Sequence, residues 1–218
     1  MYESLLAIPL ALAAQDGAAP EAAAPEAVDA PAVTETTETA ETAEAAEAAE
    51  GTFSYDYFEF GIGVVDYDFL SDNGTAIDLG VSVGINETFN IVGNYRYETV
   101  DVGGLDVDGY FLFVGGGAHT PVHEKVDLYG ELGLVFGRAE AAGFASTDTG
   151  IGLEGGVRTK PLERIELDAY LNYYAVNSSN FRLGLEGRGY VSEALSLGLK
   201  GLFDEDANSF ALTLRYDF

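Results

Sequence analysis

The clearest pattern along this chain is an alternation of large apolar residues with small or polar ones, and it is sharpest over residues 210–218. The apolar set comprises Phe210, Leu212, Leu214, Tyr216 and Phe218, and the residues between them are Ala211, Thr213, Arg215 and Asp217. A period of two is typical of a β-strand that has one apolar face and one polar face. The segment therefore predicts a strand at the boundary between an apolar and a polar environment.

The same alternation recurs in nine earlier segments. Over residues 126–136, one face carries Leu128, Leu132 and Leu134, whereas the other carries Asp127 and Glu131. Connections rich in Asp, Gly, Asn, Ser and Pro separate the segments, as turns do. We predict ten strands, with eight as the alternative count, at residues 53–65, 75–85, 89–100, 105–119, 126–139, 148–159, 165–176, 180–191, 195–203 and 208–218.

These strands have the length that a tilted strand needs to cross a bilayer, which is about 9–11 residues. A strand can lie in lipid only if every backbone group is paired, and this requires a closed barrel. The pattern therefore predicts an all-β fold, a closed antiparallel up-and-down transmembrane β-barrel with its apolar face outward. Because ten is even, both ends of the barrel domain lie on one side, which we expect to be periplasmic, with four short turns there and five loops outside.

Charged residues follow the polar face of the predicted strands. All ten Lys and Arg residues lie after residue 95, and an Arg or Lys facing mid-bilayer costs about 2–4 kcal/mol. The predicted lumen charge network comprises Arg96, Glu98, Asp106, Asp108, Glu131, Glu154, Arg158, Glu166, Asp168, Arg182, Glu186, Arg188, Lys200 and Arg215. Because unpaired buried charges are costly, we expect salt bridges and a mostly plugged interior, with a narrow ion or small-solute channel as the alternative.

The first fifty residues have a different composition. Residues 1–14 contain the apolar run Leu5–Ala14, which predicts a signal peptide, although Glu3 stands where a basic residue is usual. Residues 15–50 are rich in Ala, Glu, Thr and Pro and contain ten acidic residues and no basic one. Such a segment buries too little apolar surface to offset its ordering entropy. We therefore predict a disordered acidic linker, on the periplasmic side, ahead of a barrel domain at residues 51–218.

The composition excludes several functions. The formal net charge is −27, which argues against nucleic acid as a partner, and the chain has no Cys and only two His. We predict no cofactor, no metal site and no enzyme, because His119 and His123 flank a turn on the periplasmic side and no Ser adjoins a His. The external connections are acidic, so divalent cations held there could bridge lipopolysaccharide phosphates. Outer-membrane lipid and lipopolysaccharide are the expected partners.

Three stretches resemble a known group of proteins: the opening Ser54–Glu59, the segment Leu153–Thr159, and Arg215 within the last, aromatic-ended strand. The domain is similar to the opacity-type, OmpA-like family of small outer-membrane barrels. Within that group it resembles a ten-strand family associated with diffusible signalling and outer-membrane vesicles. The resemblance implies a bacterial outer-membrane location and no catalytic residue.

In outer-membrane barrels an alternating last strand that ends in an aromatic residue is an assembly signal. By this resemblance, residues 210–218 would contact the barrel-assembly machinery, with Phe218 as the main contact, and would pair with the first strand near Tyr55 and Tyr57. We expect an integral outer-membrane barrel with a structural or surface-interaction role. The second alternative is a soluble, lipocalin-like binder of an apolar ligand, in which the apolar face would point inward.

Overall fold

The computed structural model describes residues 53–218 except Phe69, Ser71 and Asn177. The predicted signal peptide at 1–14 and acidic linker at 15–50 lie outside the described residues. The ten strands are β1 (Tyr57–Tyr67), β2 (Gly74–Gly84), β3 (Phe89–Asp101), β4 (Asp106–His123), β5 (Val126–Ala141), β6 (Phe144–Leu162), β7 (Ile165–Val176), β8 (Ser178–Tyr190), β9 (Leu195–Phe203) and β10 (Ala207–Asp217).

Each strand pairs antiparallel with its neighbour in sequence, and the first strand pairs with the last. The closing register runs from Tyr57 opposite Asp217 to Tyr67 opposite Ala207. This confirms a closed up-and-down barrel of ten strands, and the eight-strand alternative is wrong. We call the end that carries residues 53 and 218 the terminal end, and the opposite end the far end.

The apolar face of the strands points outward, away from the lumen. Leu132, Leu167 and Leu197 are all exposed on the outer wall, whereas their neighbours Glu131, Glu166 and Ser196 are buried inside. The lipocalin-like alternative requires the reverse orientation and is therefore contradicted. An outer wall of Leu, Ile, Val and Phe is stable only against an apolar surrounding such as lipid.

Most strand boundaries lie within two residues of the prediction, and the larger differences are at the start of β1, at the end of β4 and at both ends of β6. Residues 53–56 are not part of β1, although their alternation predicted it; they turn into the terminal mouth instead. The predicted loop at 140–146 is a two-residue turn, Ala142–Gly143, because β5 and β6 extend beyond their predicted ends. Both turn residues have positive φ, 51° and 82°, as the tight hairpin turn that matches strand twist requires.

Part of the interior is apolar. At the far end, a cluster of buried residues from five strands packs together: Val65, Tyr67, Ala76, Val100, Val107 and Ala207. A second cluster deeper in the barrel comprises Val92, Phe113, Val135 and Val176. The lumen therefore contains apolar residues beside its predicted charges, and half of these ten apolar residues lie on β3, β4 and β5. Most buried charges lie on the other strands.

Candidate functional site: the closed lumen

One continuous network of ion pairs crosses the lumen in its terminal half. It contains five carboxylates and four cations, namely Glu59, Glu166, Asp168, Glu186 and Asp217 with Arg158, Arg188, Lys200 and Arg215. Six of the ten strands, including both strands of the closing seam, contribute to it. The charges nearly balance, so the network can remain buried without a large excess of either sign.

Glu166 of β7 is the centre of this network. Its Oε1 lies 3.3 Å from Arg158, 3.7 Å from Arg188 and 3.7 Å from Arg215, and its Oε2 accepts a hydrogen bond of 2.9 Å from the Tyr190 hydroxyl. The side chain is fully buried. A single carboxylate thus holds three guanidinium groups that come from three different strands.

The other predicted cations are paired in smaller groups. Arg96 contacts Asp78 at 3.0 Å and also pairs with Glu98, which accepts a hydrogen bond from the Tyr67 hydroxyl. Near the far end, Arg182 of β8 pairs with Asp204 at 3.0 Å. These contacts place Arg96, Glu98 and Arg182 in the lumen but outside the central network.

Residues 53–56, which we call the mouth segment, close the terminal end over this network. The Ser54 carbonyl accepts hydrogen bonds from Arg215 at 2.7 Å and from Arg158 at 3.3 Å. Phe53 and Tyr55 are buried. The Asp56 carboxylate accepts a hydrogen bond from the Gly84 amide at 2.6 Å, so the segment is also fixed to the rim.

Tyr55 joins the mouth segment to the opposite wall. Its ring stacks on His119 at 3.5 Å between centroids, and Arg158 lies 4.9 Å from the ring centre. Its hydroxyl donates to Asp127 at 3.4 Å. Burial raises the pKa of Tyr55 above its ordinary value of 10.0, so the hydroxyl stays protonated and remains a donor.

Two residues of the predicted network lie elsewhere. Asp106 and Asp108 are on the outward parity of β4, near the far end, and Asp108 accepts a hydrogen bond of 2.6 Å from the outward Tyr97 hydroxyl. The inward parity of β4 is carried by Val107, Phe111 and Phe113. Alternation alone assigned the charged residues to the lumen, but here apolar packing inside the barrel reverses the usual arrangement.

Glu131 and Glu154 do lie in the lumen, but neither joins the ion-pair network. Both line a cavity of about 110 Å³ that extends from the mouth segment towards Arg182. Glu154 and Asp168 accept hydrogen bonds from the Tyr129 hydroxyl at 3.1 and 3.2 Å. The cavity is therefore lined by acidic and aromatic side chains as well as by arginines.

The prediction missed Glu59, Asp204 and the mouth segment. Glu59 contacts Arg188 at 3.1 Å and Lys200 at 3.8 Å, and its position between Phe58 and Phe60 in an alternating strand was a sufficient signal for it. The mouth segment gave no such signal, because Phe53, Tyr55 and Tyr57 continue the alternation of β1. Only the three-dimensional position of the arginines explains why the chain turns inward there.

The predicted assembly residues form one row on the outer wall. Phe210, Leu212, Leu214, Tyr216 and Phe218 are all exposed and outward, and the Phe218 amide donates to the Asp56 carbonyl at 3.1 Å. The two histidines lie on β4 at the terminal end, but they do not flank a turn as predicted: β4 continues through Pro121 to His123, with a register irregularity there, and the turn is formed by Glu124 and Lys125. In the described part of the chain, no group of three or more His, Cys, Asp and Glu is arranged to hold a metal ion.

The barrel is closed, its outer wall is apolar and its interior is charged. Its strands have 9–19 residues. These are the features that a β-barrel needs in order to span a bilayer. These features define the class: the protein is a closed, ten-stranded antiparallel β-barrel with the architecture of a membrane-spanning barrel. Among the residues that the structure describes, no helix has the length and apolarity that spanning a membrane requires.

No protein-family model and no curated protein matches the chain. Solved structures with a similar fold include Ail, the attachment invasion locus protein of Yersinia pestis, in complex with the heparin analogue sucrose octasulfate (18% identity, 74% of this chain and 98% of that chain, TM-score 0.42). Neisserial surface protein A has 16% identity over 74% of this chain and 96% of that chain, with a TM-score of 0.43. The NanC porin has 9% identity over 74% and 100%, with a TM-score of 0.48. Sequence identities of 9–18% and TM-scores of 0.42–0.48 do not assign a function to this chain.

Proposed function

We propose that this protein is a mostly plugged outer-membrane barrel with a structural or surface-interaction role, rather than a pore. The observation that carries the proposal is the nine-residue ion-pair network beneath the mouth segment. Side chains from opposite walls meet there, so an ion would have to break several buried pairs to pass. Breaking a buried pair leaves an uncompensated charge, which costs about 3–5 kcal/mol. The proposal assigns no catalytic residue.

Planar-bilayer recording of the purified full-length protein tests this proposal. We expect no steady single-channel steps from the unmodified protein and none from Arg182→Ala. Arg182 lines the cavity and pairs with Asp204, so its removal would change the conductance of any path along the lumen. Steady steps whose size shifts in Arg182→Ala would overturn the proposal.

The same experiment covers the second candidate function, a narrow channel. The observation in its favour is the cavity of about 110 Å³, which already lies along Arg96, Arg158, Arg182 and Arg188. Both the terminal end and the far end of the barrel would have to open before ions could pass through this cavity. The mouth segment closes one end, and the far-end apolar cluster narrows the other.

The terminal end faces the periplasm in this proposal, and the far end faces outward. The far end is acidic, with Asp66, Asp68, Asp72, Asp101, Asp204, Glu205 and Asp206 in or beside its connections. Burial and then the neighbouring carboxylates of Asp204 and Glu205 raise the pKa of Asp206. Contact with lipopolysaccharide phosphates would therefore need bridging divalent cations.

For assembly, we propose that the barrel-assembly machinery contacts the outward row of β10 that Phe210 begins. Every large side chain of this row points away from the lumen. The row is thus accessible to a partner before the barrel is surrounded by lipid. The row also belongs to the strand that completes the ring.

A further inference from the structure

Three oxygen-bearing side chains stand side by side on the inner wall. Glu131 of β5 lies directly opposite Glu154 of β6 in the strand register, and Glu154 lies directly opposite Asn172 of β7. Residues opposite each other in this way have Cβ atoms roughly 4.5–5.5 Å apart. All three residues line the lumen cavity. The row thus presents two carboxylates and one amide oxygen to the same space.

Among the described residues, no cation lies within 4.0 Å of either of these two carboxylates. Throughout the described ranges, the ion pairs within 4.0 Å all involve other acids. Lys200, which lines the same cavity, contacts Glu59 at 3.8 Å. Like charges directly opposite each other on adjacent strands are destabilising. A cation bound directly between the two carboxylates would relieve this repulsion, and no described side chain makes that contact.

Asn172 gives independent evidence for a missing donor. The residue is only 4% exposed, and its Oδ1 atom has no hydrogen-bond partner among the described residues. A buried carbonyl oxygen without a donor costs about 1–3 kcal/mol. The unpartnered oxygen lies on the strand position next to Glu154, so one ligand can reach both.

The remaining walls show what kind of cation fits. Phe111, Tyr129, Tyr170 and Tyr174 line the cavity, and their apolar ring surfaces can pack against the alkyl chain of an organic cation. In the described part of the chain, no set of three or more His, Cys, Asp and Glu is placed to bind a metal ion. A primary ammonium group carries three N–H donors, one for each acceptor of the row.

We propose that Glu131, Glu154 and Asn172 form a binding site for the ammonium group of a small aliphatic amine. The three N–H groups donate to the two carboxylates and to Asn172 Oδ1, while the alkyl chain lies against the tyrosine rings. The site adjoins the ion-pair network, because the Tyr129 hydroxyl bonds both Glu154 and Asp168, but its three residues make none of the network's ion pairs. The proposal does not depend on whether the barrel conducts.

Amide NMR of the full-length protein in detergent micelles tests the site. The protein is refolded from urea with butylammonium chloride present, so that the ligand need not pass a closed mouth. We expect a saturable shift of the Asn172 side-chain amide signals at millimolar amine, and no such shift with butanol or sodium chloride. Glu154→Gln and Glu131→Gln should each weaken binding at least tenfold. Glu163→Gln, in the exposed turn between β6 and β7, should bind as the unmodified protein does.

Several results would overturn the proposal. These are an Asn172 signal that does not saturate, an equal shift with butanol, unchanged binding in Glu154→Gln, or displacement of the amine by calcium chloride, which would indicate a metal site. If Glu154→Gln does not fold, Asn172→Asp decides the question. A third carboxylate in the row should tighten amine binding severalfold, and unchanged or weaker binding would contradict the site.

Discussion

At the scale of single residues, Glu166 has the greatest effect on its surroundings. It is the carboxylate that Arg158, Arg188 and Arg215 share at 3.3–3.7 Å. Two of these arginines also hold the Ser54 carbonyl. Loss of the charge at residue 166 would therefore leave three buried guanidinium groups in mutual repulsion and would weaken the closure of the mouth.

We predict that Glu166→Gln lowers the free energy of unfolding by about 3–5 kcal/mol, the usual cost of removing one partner from a buried ion pair. The measurement is urea unfolding in detergent micelles followed by circular dichroism, because the chain contains no Trp. Glu163→Gln is the matched control; it is exposed in a turn three residues away, and should change stability by less than about 0.5 kcal/mol. Equal stability of the two variants would show that Glu166 is not the centre of the network.

Strand alternation was enough to place Arg158, Glu166, Arg188 and Arg215 in the lumen, because a charge on the lipid side is costly. It could not show which charges pair. Which charges pair depends on how far neighbouring strands are shifted along each other and on the length and conformation of each side chain. An alternating pattern gives no information on either. For the same reason Glu131 and Glu154 could not be recognised as unpaired. Asp108 was misplaced because an outward tyrosine near the membrane edge satisfies it.

At the scale of strands, a close approach of two glycines fixes the fit between β4 and β5. Gly115 and Gly133 are directly opposite in register. A Cβ on Gly133 would overlap the Val114 carbonyl oxygen and would lie 2.7 Å from the Gly115 Cα atom. The inner wall therefore has no room for a side chain at this pair. Gly155 on the outer wall has its nearest neighbour 3.9 Å from the added Cβ.

We predict that Gly133→Ala destabilises the barrel by about 1–3 kcal/mol, the usual cost of inserting a methyl group into filled space. Gly155→Ala should be neutral or should stabilise by up to about 1 kcal/mol, since alanine restricts the unfolded chain more than glycine does. The midpoint of heat-induced unfolding, seen as the shift from the folded to the unfolded gel band, measures both. A larger loss in Gly155→Ala than in Gly133→Ala would contradict the inward and outward assignment.

The sequence predicted all ten strands and their order, because turn residues separate segments that mostly alternate between apolar and polar residues. It did not predict their full lengths. β6 runs from Phe144 to Leu162, beyond the predicted 148–159, because strand pairing continues outside the bilayer wherever a neighbour is available. The two-residue turn at Ala142–Gly143 was also not predicted from the sequence. Alanine is uncommon at positive φ, so only Gly143 marked the turn.

At the scale of the whole molecule, the outer wall is an apolar belt with a polar margin at the far end. Leu212 is in the belt, opposite Ile62 on one side and Leu199 on the other, and all three side chains are more than half exposed. Beyond the belt, the β5–β6 hairpin carries the exposed pair Arg138–Glu140 and ends near Phe144. The membrane contact therefore ends below the tip of this hairpin.

We predict that Leu212→Arg destabilises the barrel in lipid vesicles by about 2–4 kcal/mol, whereas Phe144→Arg, outside the belt, costs about 0–1 kcal/mol. Both side chains are highly exposed, at 63% and 77%, so the difference reports the surrounding medium rather than lost packing. Urea titration of folding into vesicles measures it. Similar costs at the two positions, or purification without detergent, would contradict the placement of the belt in lipid.

The pairing of β1 with β10 has a consequence for the order of events in time. Tyr57 and Asp217 are far apart along the chain, and joining ends separated by roughly 150 residues costs about 4 kcal/mol of chain entropy. We therefore expect this seam to form late, after neighbouring strands have paired through their short turns. Until then the arginines that hold Ser54 remain hydrated. Burial of the lumen charges, closure of the mouth and completion of the ring would then occur as one cooperative, rate-limiting step.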